Sequence, residues 1–335
     1  MSNQTSQPSQ TIDPYQHHQI IYNPDGTLTR MRHDPHTLPS LDTSTLPVPV
    51  LTKDVPINQS NNTWIRLFLP QKAIPNHGST SNQNDKLPLI VFFHGSGFIL
   101  LSASSTMFHD LCVEMADTIG AVVASVEYRL APEHRLPAAY DDAMEALVWI
   151  RSSQDEWLTQ YVDYSNCYLM GNSAGATIAY HAGLRAAQEV DHLEPLKIQG
   201  LILRQPFFGG IKRTESELRL ENDPFLPLCV TDLMWELALP IGVDRDHEFS
   251  NLRAENCLDK LEKIKELGWR VLVSGNGEDP LVDRGKELVK LMEEKGVQVV
   301  SDFEEEGYHG IECYEPSKAK QMIGLVKGFI SSFGA

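Results

Sequence analysis

The sequence predicts an α/β fold, in which a mostly parallel central sheet is flanked by helices and covered by a helical lid. Short continuous apolar runs alternate with amphipathic segments from residue 64 onward, which is typical of buried parallel strands joined by helices. With 335 residues, 41% of them hydrophobic, the chain is long enough to bury a large core. The residues with recognisable chemistry directly follow apolar runs, where such a sheet places its ligand crevice.

Six runs rich in apolar and β-branched residues predict the strands of this sheet. In chain order they are residues 89–93, 121–126, 167–170, 198–203, 270–273 and 297–303. Apolar residues at helical spacing predict the helices at 106–118, 138–150, 174–187, 283–295 and 317–329. The segment 207–251 contains several prolines and interrupts this alternation. We therefore expect it to form an insertion over the carboxyl edge of the sheet.

Composition predicts which segments are disordered and which form the domain. Residues 1–14 and the Ser-, Thr- and Pro-rich stretch 37–49 are too polar to bury much apolar surface, so both are predicted to be disordered. Residues 15–335 then form a single domain. The lid is expected to consist of about residues 15–45 together with 207–251.

Charge and hydropathy exclude two kinds of partner. The 45 acidic residues outnumber the 28 lysines and arginines, and the formal charge of −17 has the wrong sign for binding a phosphate backbone or an anionic membrane. The apolar run 87–93 is much shorter than the about 20 residues that cross a bilayer. We expect neither a nucleic-acid partner nor a membrane partner.

Cysteine usage and the N-terminus predict a reducing, cytoplasmic location. The cysteines are scattered and form no Cys-x-x-Cys pair, which argues against a disulfide framework or a zinc site. They are Cys112, Cys167, Cys229, Cys257 and Cys313. The first 15 residues have neither the apolar stretch of a secretory signal nor the arginines of a transit peptide.

The strongest local motif is the G-x-S-x-G pattern at 171–175, which lies between a predicted strand and a predicted helix. A serine hydroxyl is a weak nucleophile, and a tight strand-to-helix turn with small flanking residues exposes it for attack. Ser173 is therefore the candidate nucleophile. The loop 94–98, His-Gly-Ser-Gly-Phe, follows another strand, and its backbone N–H groups are suited to stabilising the oxyanion that attack on an ester creates.

A nucleophilic serine needs a base, and the base needs a carboxylate that orients it. Of the twelve histidines, His309 follows the strand 297–303 by a short loop and is the candidate base. His17 and His18 lie in a polar N-terminal segment, where solvated or lid positions are expected. After the strand 270–273, Asp279 is the preferred orienting acid, because Pro280 holds it extended, and Glu278 is the alternative. Asp283 is interpreted as a helix cap or an N-terminal helix charge.

Together these motifs resemble those of plant carboxylesterases of the hormone-sensitive-lipase-like group. The resemblance rests on the loop 94–98, the segment 127–133, the motif 171–175, the segment 279–283 and Gly-Tyr-His at 307–309, and it extends over residues 14 to 332. It implies an α/β-hydrolase fold whose nucleophile, acid and base are Ser173, Asp279 and His309. It also implies oxyanion donors from the N–H groups of Ser96, Gly97 and Ala174, with Gly95 shaping the loop. The segment from Tyr128 to Glu133 is interpreted as a structural brace.

Two positions depart from the pattern of this family. Ser96 stands where the family usually has glycine, and its side chain is expected to narrow the acyl side of the pocket. Asn172 stands where the family usually has aspartate, which removes a negative charge beside the nucleophile. Both departures are expected to affect substrate choice and pKa values.

The leading hypothesis is a serine carboxylesterase that hydrolyses small to medium esters through an acyl-enzyme and requires no cofactor or metal. The expected partner is therefore a small-molecule ester. Two alternatives remain open at this point: an esterase-like dehydratase or cyclase of a plant specialised metabolite, and a non-catalytic hormone receptor. The candidate base at His309 argues against the receptor, because receptors that resemble this family lack it.

Overall fold

The computed structural model describes residues 12–41, 48–74, 86–254 and 259–332. Within those ranges the strands are β1 (Ile20–Tyr22), β2 (Leu28–Arg30), β3 (Val50–Asn58), β4 (Thr63–Pro70), β5 (Leu87–Phe93), β6 (Val122–Glu127), β7 (Val162–Asn172), β8 (Ile198–Arg204), β9 (Arg270–Asn276) and β10 (Gln298–Glu304). The α-helices are α1 (Pro14–His18), α2 (Thr106–Met115), α3 (Ala138–Ser152), α4 (Glu156–Tyr161), α5 (Ala174–Gln188), α6 (Val190–Leu193), α7 (Glu215–Arg219), α8 (Leu228–Ala238), α9 (Leu261–Glu266), α10 (Val282–Glu294) and α11 (Pro316–Ser331).

Eight strands form the central sheet, in the order β10-β9-β8-β7-β5-β6-β4-β3. The six strands from β10 to β6 are parallel, and β4 and β3 extend the sheet antiparallel at one edge. The prediction of a mostly parallel sheet flanked by helices is confirmed. All six predicted strands are present, and the sheet also contains β3 and β4, which the sequence analysis did not delimit.

Both faces of the sheet are buried, and β5 shows how its sequence achieves this. Leu89, Val91 and Phe93 contribute to one hydrophobic cluster, whereas Ile90 and Phe92 contribute to a second cluster on the opposite face. Side chains alternate between the two faces along a strand, so a continuous apolar run is required where helices cover both. Helices α3, α5 and α10 contribute to the first cluster, and α2 and α11 contribute to the second.

The order of the strands places a crevice at one edge of the sheet. Strand β5 lies between β6 and β7, so the chain leaves β5 toward one side and returns across it to reach β7. In open α/β sheets, ligands bind outside the carboxyl ends of the strands at such a change of direction. The turns that follow β5, β7, β9 and β10 all lie at this edge.

The N-terminal segment differs from the predicted disorder where it is described. Helix α1 begins at Pro14, and the carboxylate of Asp13 caps it by accepting the N–H of Tyr15 at 2.9 Å. Residues 1–11 and 42–47 lie outside the described residues. Within 37–41, the N–H of Thr37 donates to the Ser104 carbonyl at 3.0 Å, and the carbonyl of Thr37 accepts from Nη1 of Arg66 at 2.6 Å. Contacts with distant residues fix these polar segments, and composition does not reveal such contacts.

The predicted insertion at 207–251 contains α7 and α8, and α8 packs against α1. The thiol of Cys229 on α8 donates to the Ile12 carbonyl at 3.7 Å. Cys112, Cys167, Cys229 and Cys313 are free cysteines, and Cys257 lies outside the described residues. A search of the described helices finds none with the length and apolar character that crossing a bilayer requires.

Candidate active site

Ser173 occupies the turn between β7 and α5 in a strained backbone conformation, with φ 55° and ψ −122°. The glycines on either side allow this turn. A Cβ atom at Gly171 would lie 2.2 Å from the carbonyl carbon of Gly175, and one at Gly175 would lie 2.0 Å from the carbonyl oxygen of Phe93. Neither position can therefore carry a side chain while the helix passes so close to β5 and β7. The result is a serine hydroxyl exposed at the carboxyl edge of the sheet.

The structure brings the three residues of the predicted triad together. The hydroxyl of Ser173 donates to Nε2 of His309 at 2.9 Å, and Nδ1 of His309 donates to Oδ2 of Asp279 at 2.8 Å. The tautomer follows from these partners, because the Asp279 carboxylate can only accept. Asp279 is buried, and its other oxygen accepts the N–H of Leu281 at 2.8 Å. The arrangement matches the geometry of an activated serine nucleophile.

Burial of His309 by itself lowers its pKa, but the charge and hydrogen bond of Asp279 raise it more strongly, and Glu312 adds to the effect. The pKa of His309 therefore lies above its ordinary value. A histidine must be neutral to accept a proton from serine, so activity is expected to fall as pH decreases through this raised pKa.

A second buried network, not predicted from the sequence, lies next to the candidate triad. The carboxylate of Glu312 is inaccessible to solvent, with 0% of its side chain exposed. It accepts from Nδ2 of Asn172 at 2.9 Å and from Nη2 of Arg204 at 3.2 Å. Asn172 itself carries no charge, but its amide donates to the carboxylate of Glu312, three residues after His309, so a negative charge lies next to it.

The loop that carries His309 is held from both sides by side chains at strand ends. The carbonyl of Tyr308 accepts from Nδ2 of Asn276 at 2.9 Å and from Nε2 of Gln205 at 3.1 Å. Gln205 also accepts the N–H of Gly310 at 2.8 Å through its side-chain oxygen. Gln205 directly follows β8, and Asn276 is the last residue of β9. Functional side chains are expected at such strand ends, so this placement is the sequence signal that points to both residues.

Replacing Glu312 by glutamine is expected to shift the acid limb of the pH profile of kcat/KM to lower pH. The variant removes a carboxylate that raises the pKa of His309 and leaves the positive charge of Arg204, which lowers it. Because the amide of glutamine can replace only part of the ion pair, thermal stability should also fall. The measurement is kcat/KM for p-nitrophenyl butyrate from pH 4.5 to 9.

Glu306→Gln serves as the matched control, since it removes an exposed carboxylate from the same loop. Its pH profile should coincide with that of the unmodified protein. An acid limb that stays in place in Glu312→Gln, or moves to higher pH, would show that Glu312 does not act on His309.

The loop after β5 supplies the candidate oxyanion donors. Gly95 approaches the turn that holds Ser173, here called the elbow, since a Cβ atom at residue 95 would lie 3.0 Å from the Asn172 carbonyl oxygen. Ser96 and Gly97 both have positive φ angles, of 90° and 64°. Among the described residues, no acceptor takes a hydrogen bond from the N–H groups of Ser96, Gly97 or Ala174. They are thus available to a developing negative charge beside Ser173.

Gly97 also explains how the insertion reaches the site. A Cβ atom at residue 97 would lie 2.3 Å from Sδ of Met234 on α8. A side chain at residue 97 would require the Met234 side chain to move, and the positive φ of 64° also favours glycine there.

The segment Tyr128–Glu133, predicted to be a structural brace, contacts the candidate oxyanion loop through Tyr128. The hydroxyl of Tyr128 donates to the carbonyl of His94 at 2.9 Å, and the two rings stack at 4.3 Å. Glu133 accepts two hydrogen bonds from the Arg30 guanidinium, which ties β2 of the N-terminal segment to the brace.

Among the described contacts, neither the alternative acid Glu278 nor Asp283 bonds to His309. Glu278 is 59% exposed and forms an ion pair with Arg219 at 3.1 Å. Asp283 lies in the first turn of α10, as the helix-charge interpretation requires, and its carboxylate accepts the N–H of Ser216 at 2.8 Å. The cap position itself belongs to Leu281. Asp279 is thus the acid that the structure places against the histidine.

A cavity of about 470 Å³ opens above Ser173, a size suited to a small-molecule ligand. Its wall combines the candidate oxyanion loop with residues from three other parts of the chain. They include His18 and Arg32 of the N-terminal segment, Phe225 and Met234 of the insertion, and Tyr314 after the candidate base. In the described part of the chain, no group of His, Cys, Asp and Glu side chains could hold a metal ion.

The sequence and the fold of this chain are similar to those of known proteins. The chain matches the profile of the alpha/beta hydrolase fold over residues 90–312. Carboxylesterase 20 of Arabidopsis thaliana is 50% identical over 328 residues, covering 98% of this chain and 99% of the relative. The 3-O-acetylpapaveroxine carboxylesterase CXE2 of Papaver somniferum is 45% identical over 326 residues, covering 95% and 99%. An esterase structure from Pyrobaculum calidifontis has a TM-score of 0.67 at 24% identity, covering 84% of this chain and 85% of that one, and supports the fold.

Proposed function

Since the chain belongs to the alpha/beta hydrolases and, within them, to the plant carboxylesterases, we propose that Ser173, His309 and Asp279 are its catalytic triad. The protein is a carboxylic ester hydrolase. The observation that carries the assignment of these residues is the continuous hydrogen-bonded chain from the serine hydroxyl through the imidazole to the buried carboxylate, at 2.9 and 2.8 Å.

The proposed reaction has two stages. Oγ of Ser173 bonds to the ester carbonyl carbon while its proton passes to Nε2 of His309, and the N–H groups of Ser96, Gly97 and Ala174 stabilise the oxyanion. When the tetrahedral intermediate collapses, His309 returns this proton to the departing alcohol. Water then attacks the acyl-serine, with His309 again accepting and returning a proton, and the carboxylic acid leaves.

The substrate class is proposed from the cavity and from the relatives. The poppy relative is named as a 3-O-acetylpapaveroxine carboxylesterase, a name that specifies an O-acetyl ester, and the cavity of about 470 Å³ has room for a compact alcohol group. Ser96 replaces the glycine usual in the family and lines this cavity, where its side chain restricts the acyl group. We therefore assign a short acyl chain and a bulkier alcohol to the preferred substrate.

The N-terminal segment and the insertion are proposed to form the lid. Nε2 of His17 lies 3.4 Å from the carbonyl oxygen of Phe225, and the thiol of Cys229 contacts the carbonyl of Ile12. The two segments therefore meet over the cavity. A cytoplasmic location is likewise proposed from the sequence.

Labelling with diethyl p-nitrophenyl phosphate tests the proposed function. Attack by Ser173 on phosphorus should release one equivalent of p-nitrophenolate and leave a diethyl phosphoryl group on the peptide that contains residue 173. Turnover of p-nitrophenyl acetate should disappear in proportion to labelling. Labelling at another residue would contradict the assigned nucleophile.

The same experiment separates the esterase from a dehydratase or cyclase. A labelled Ser173 in a protein with negligible turnover of simple esters would contradict hydrolysis as its reaction and favour those alternatives. Tight hormone binding without turnover would favour a receptor, which the complete triad argues against.

A further inference from the structure

One wall of the cavity contains a buried side chain with no hydrogen-bond partner. His18, the last residue of α1, is only 5% exposed and lines the cavity above Ser173. Neither of its ring nitrogens has a hydrogen-bond partner among the described residues. Of the two positions expected for this residue, solvated or part of the lid, its burial excludes the solvated one.

The surroundings of His18 keep its ring neutral. Burial, with smaller contributions from the neighbouring His17 and Arg32, lowers its pKa to about 4. A neutral imidazole presents one N–H donor and one acceptor nitrogen. Arg32 lines the same cavity, and its guanidinium forms no ion pair with a carboxylate of the described residues. This wall therefore combines an imidazole whose unpartnered nitrogens are shielded from solvent with an exposed guanidinium.

The position of His18 is fixed by structure on both sides. Asp13 and Pro14 set the start of α1, and Gln19 ends the helix in the left-handed conformation with φ 51°. The adjacent His17 ring packs edge-on against His18, with ring centroids 5.5 Å apart. A buried polar side chain without a partner costs free energy, and a leucine at this position would avoid that cost. The stability of the fold therefore does not explain why a histidine stands at position 18.

We propose that His18 is a substrate-recognition residue, whose imidazole hydrogen-bonds a carbonyl, ether or hydroxyl oxygen of the substrate outside the scissile ester group. Arg32 at the same wall favours acceptor oxygens there. The inference rests on the proposed function, since the bound molecule is the ester substrate of Ser173. It predicts that the enzyme prefers oxygenated esters to apolar esters of the same size.

Two matched pairs of esters test this inference on the acyl side and on the alcohol side. They are p-nitrophenyl pentanoate with p-nitrophenyl 4-oxopentanoate, and 1-naphthyl acetate with 5-hydroxy-1-naphthyl acetate. In at least one pair, His18→Leu should reduce the preference in kcat/KM for the oxygenated member by about three- to tenfold, the effect of one neutral hydrogen bond. Hydrolysis of the apolar member should be retained, and His18→Gln should recover part of the preference.

His134→Leu is the matched control, because it replaces an exposed histidine that does not line the cavity. Its ester preferences should equal those of the unmodified protein. The melting temperature of His18→Leu should be unchanged or higher. Unchanged preferences in both ester pairs, with or without a lower melting temperature, would overturn the inference.

Failure of the proposed function gives a different result from failure of this inference. If the unmodified protein hydrolyses none of the four esters, the proposed function fails. In that case, the dissociation constants of the same ester pairs are measured for Ser173→Ala and for the double variant that also carries His18→Leu. A three- to tenfold loss of affinity for the oxygenated member alone supports the subsite, and equal dissociation constants overturn it.

Discussion

Replacing Ser173 by alanine is expected to reduce kcat for p-nitrophenyl butyrate by about 10⁴- to 10⁶-fold, the range seen when the nucleophile of such a triad is removed. The variant lacks the oxygen that forms the acyl-enzyme, so hydrolysis would depend on water placed by the remaining groups. Among the described residues, the hydroxyl of Ser173 hydrogen-bonds only to His309, so the fold should be unaffected. The measurement is the initial rate of p-nitrophenolate release at pH 8.

Ser165→Ala provides the matched control for this variant. Ser165 lies on the same strand β7, is exposed, and donates its hydroxyl to Asp163 at 2.6 Å. Its loss should leave kcat and KM unchanged. If Ser173→Ala kept the full rate while retaining its melting temperature, the hydroxyl of Ser173 could not be the nucleophile.

The parts of the site that the sequence predicted share a physical property. The elbow of Ser173 and the loop of His94–Phe98 are each encoded within a few neighbouring residues, because backbone strain and close approach there require glycine. The signal of a buried strand is equally local. Its side chains alternate between two covered faces, so a single continuous apolar run predicts it. Such features can be identified from short windows of sequence.

The parts of the site that could not be predicted from the sequence depend on residues that are far apart in the chain. Arg204 and Glu312 are separated by 108 positions, and each was unremarkable in its own segment. Only the adjacency of β8, β9 and β10 brings them together beneath His309. The burial of His18 also depends on distant parts of the chain. Helix α1 packs against α8 of the insertion, whereas the neighbours of His18 in the sequence are polar.

Asp279→Asn is the second variant with a large expected effect, a decrease of about 10⁴-fold in kcat, as is typical when the orienting carboxylate of a triad loses its charge. Asp279 accepts two hydrogen bonds, one from Nδ1 of His309 and one from the N–H of Leu281. The asparagine amide has a single acceptor oxygen. If that oxygen keeps the Leu281 bond, the NH₂ group faces Nδ1 and selects the tautomer protonated on Nε2, which cannot accept the proton of Ser173.

The opposite orientation of the substituted amide also fails, because it directs the NH₂ group at the buried N–H of Leu281 and leaves that donor unpaired. Glu278→Gln is the informative control, since it removes the neighbouring acid, which is exposed and paired with Arg219. It should hydrolyse p-nitrophenyl butyrate at the unmodified rate. The reverse result, in which Glu278→Gln is inactive and Asp279→Asn is active with an unchanged melting temperature, would transfer the orienting role to Glu278. That result would also require a different arrangement of the loop between β9 and α10.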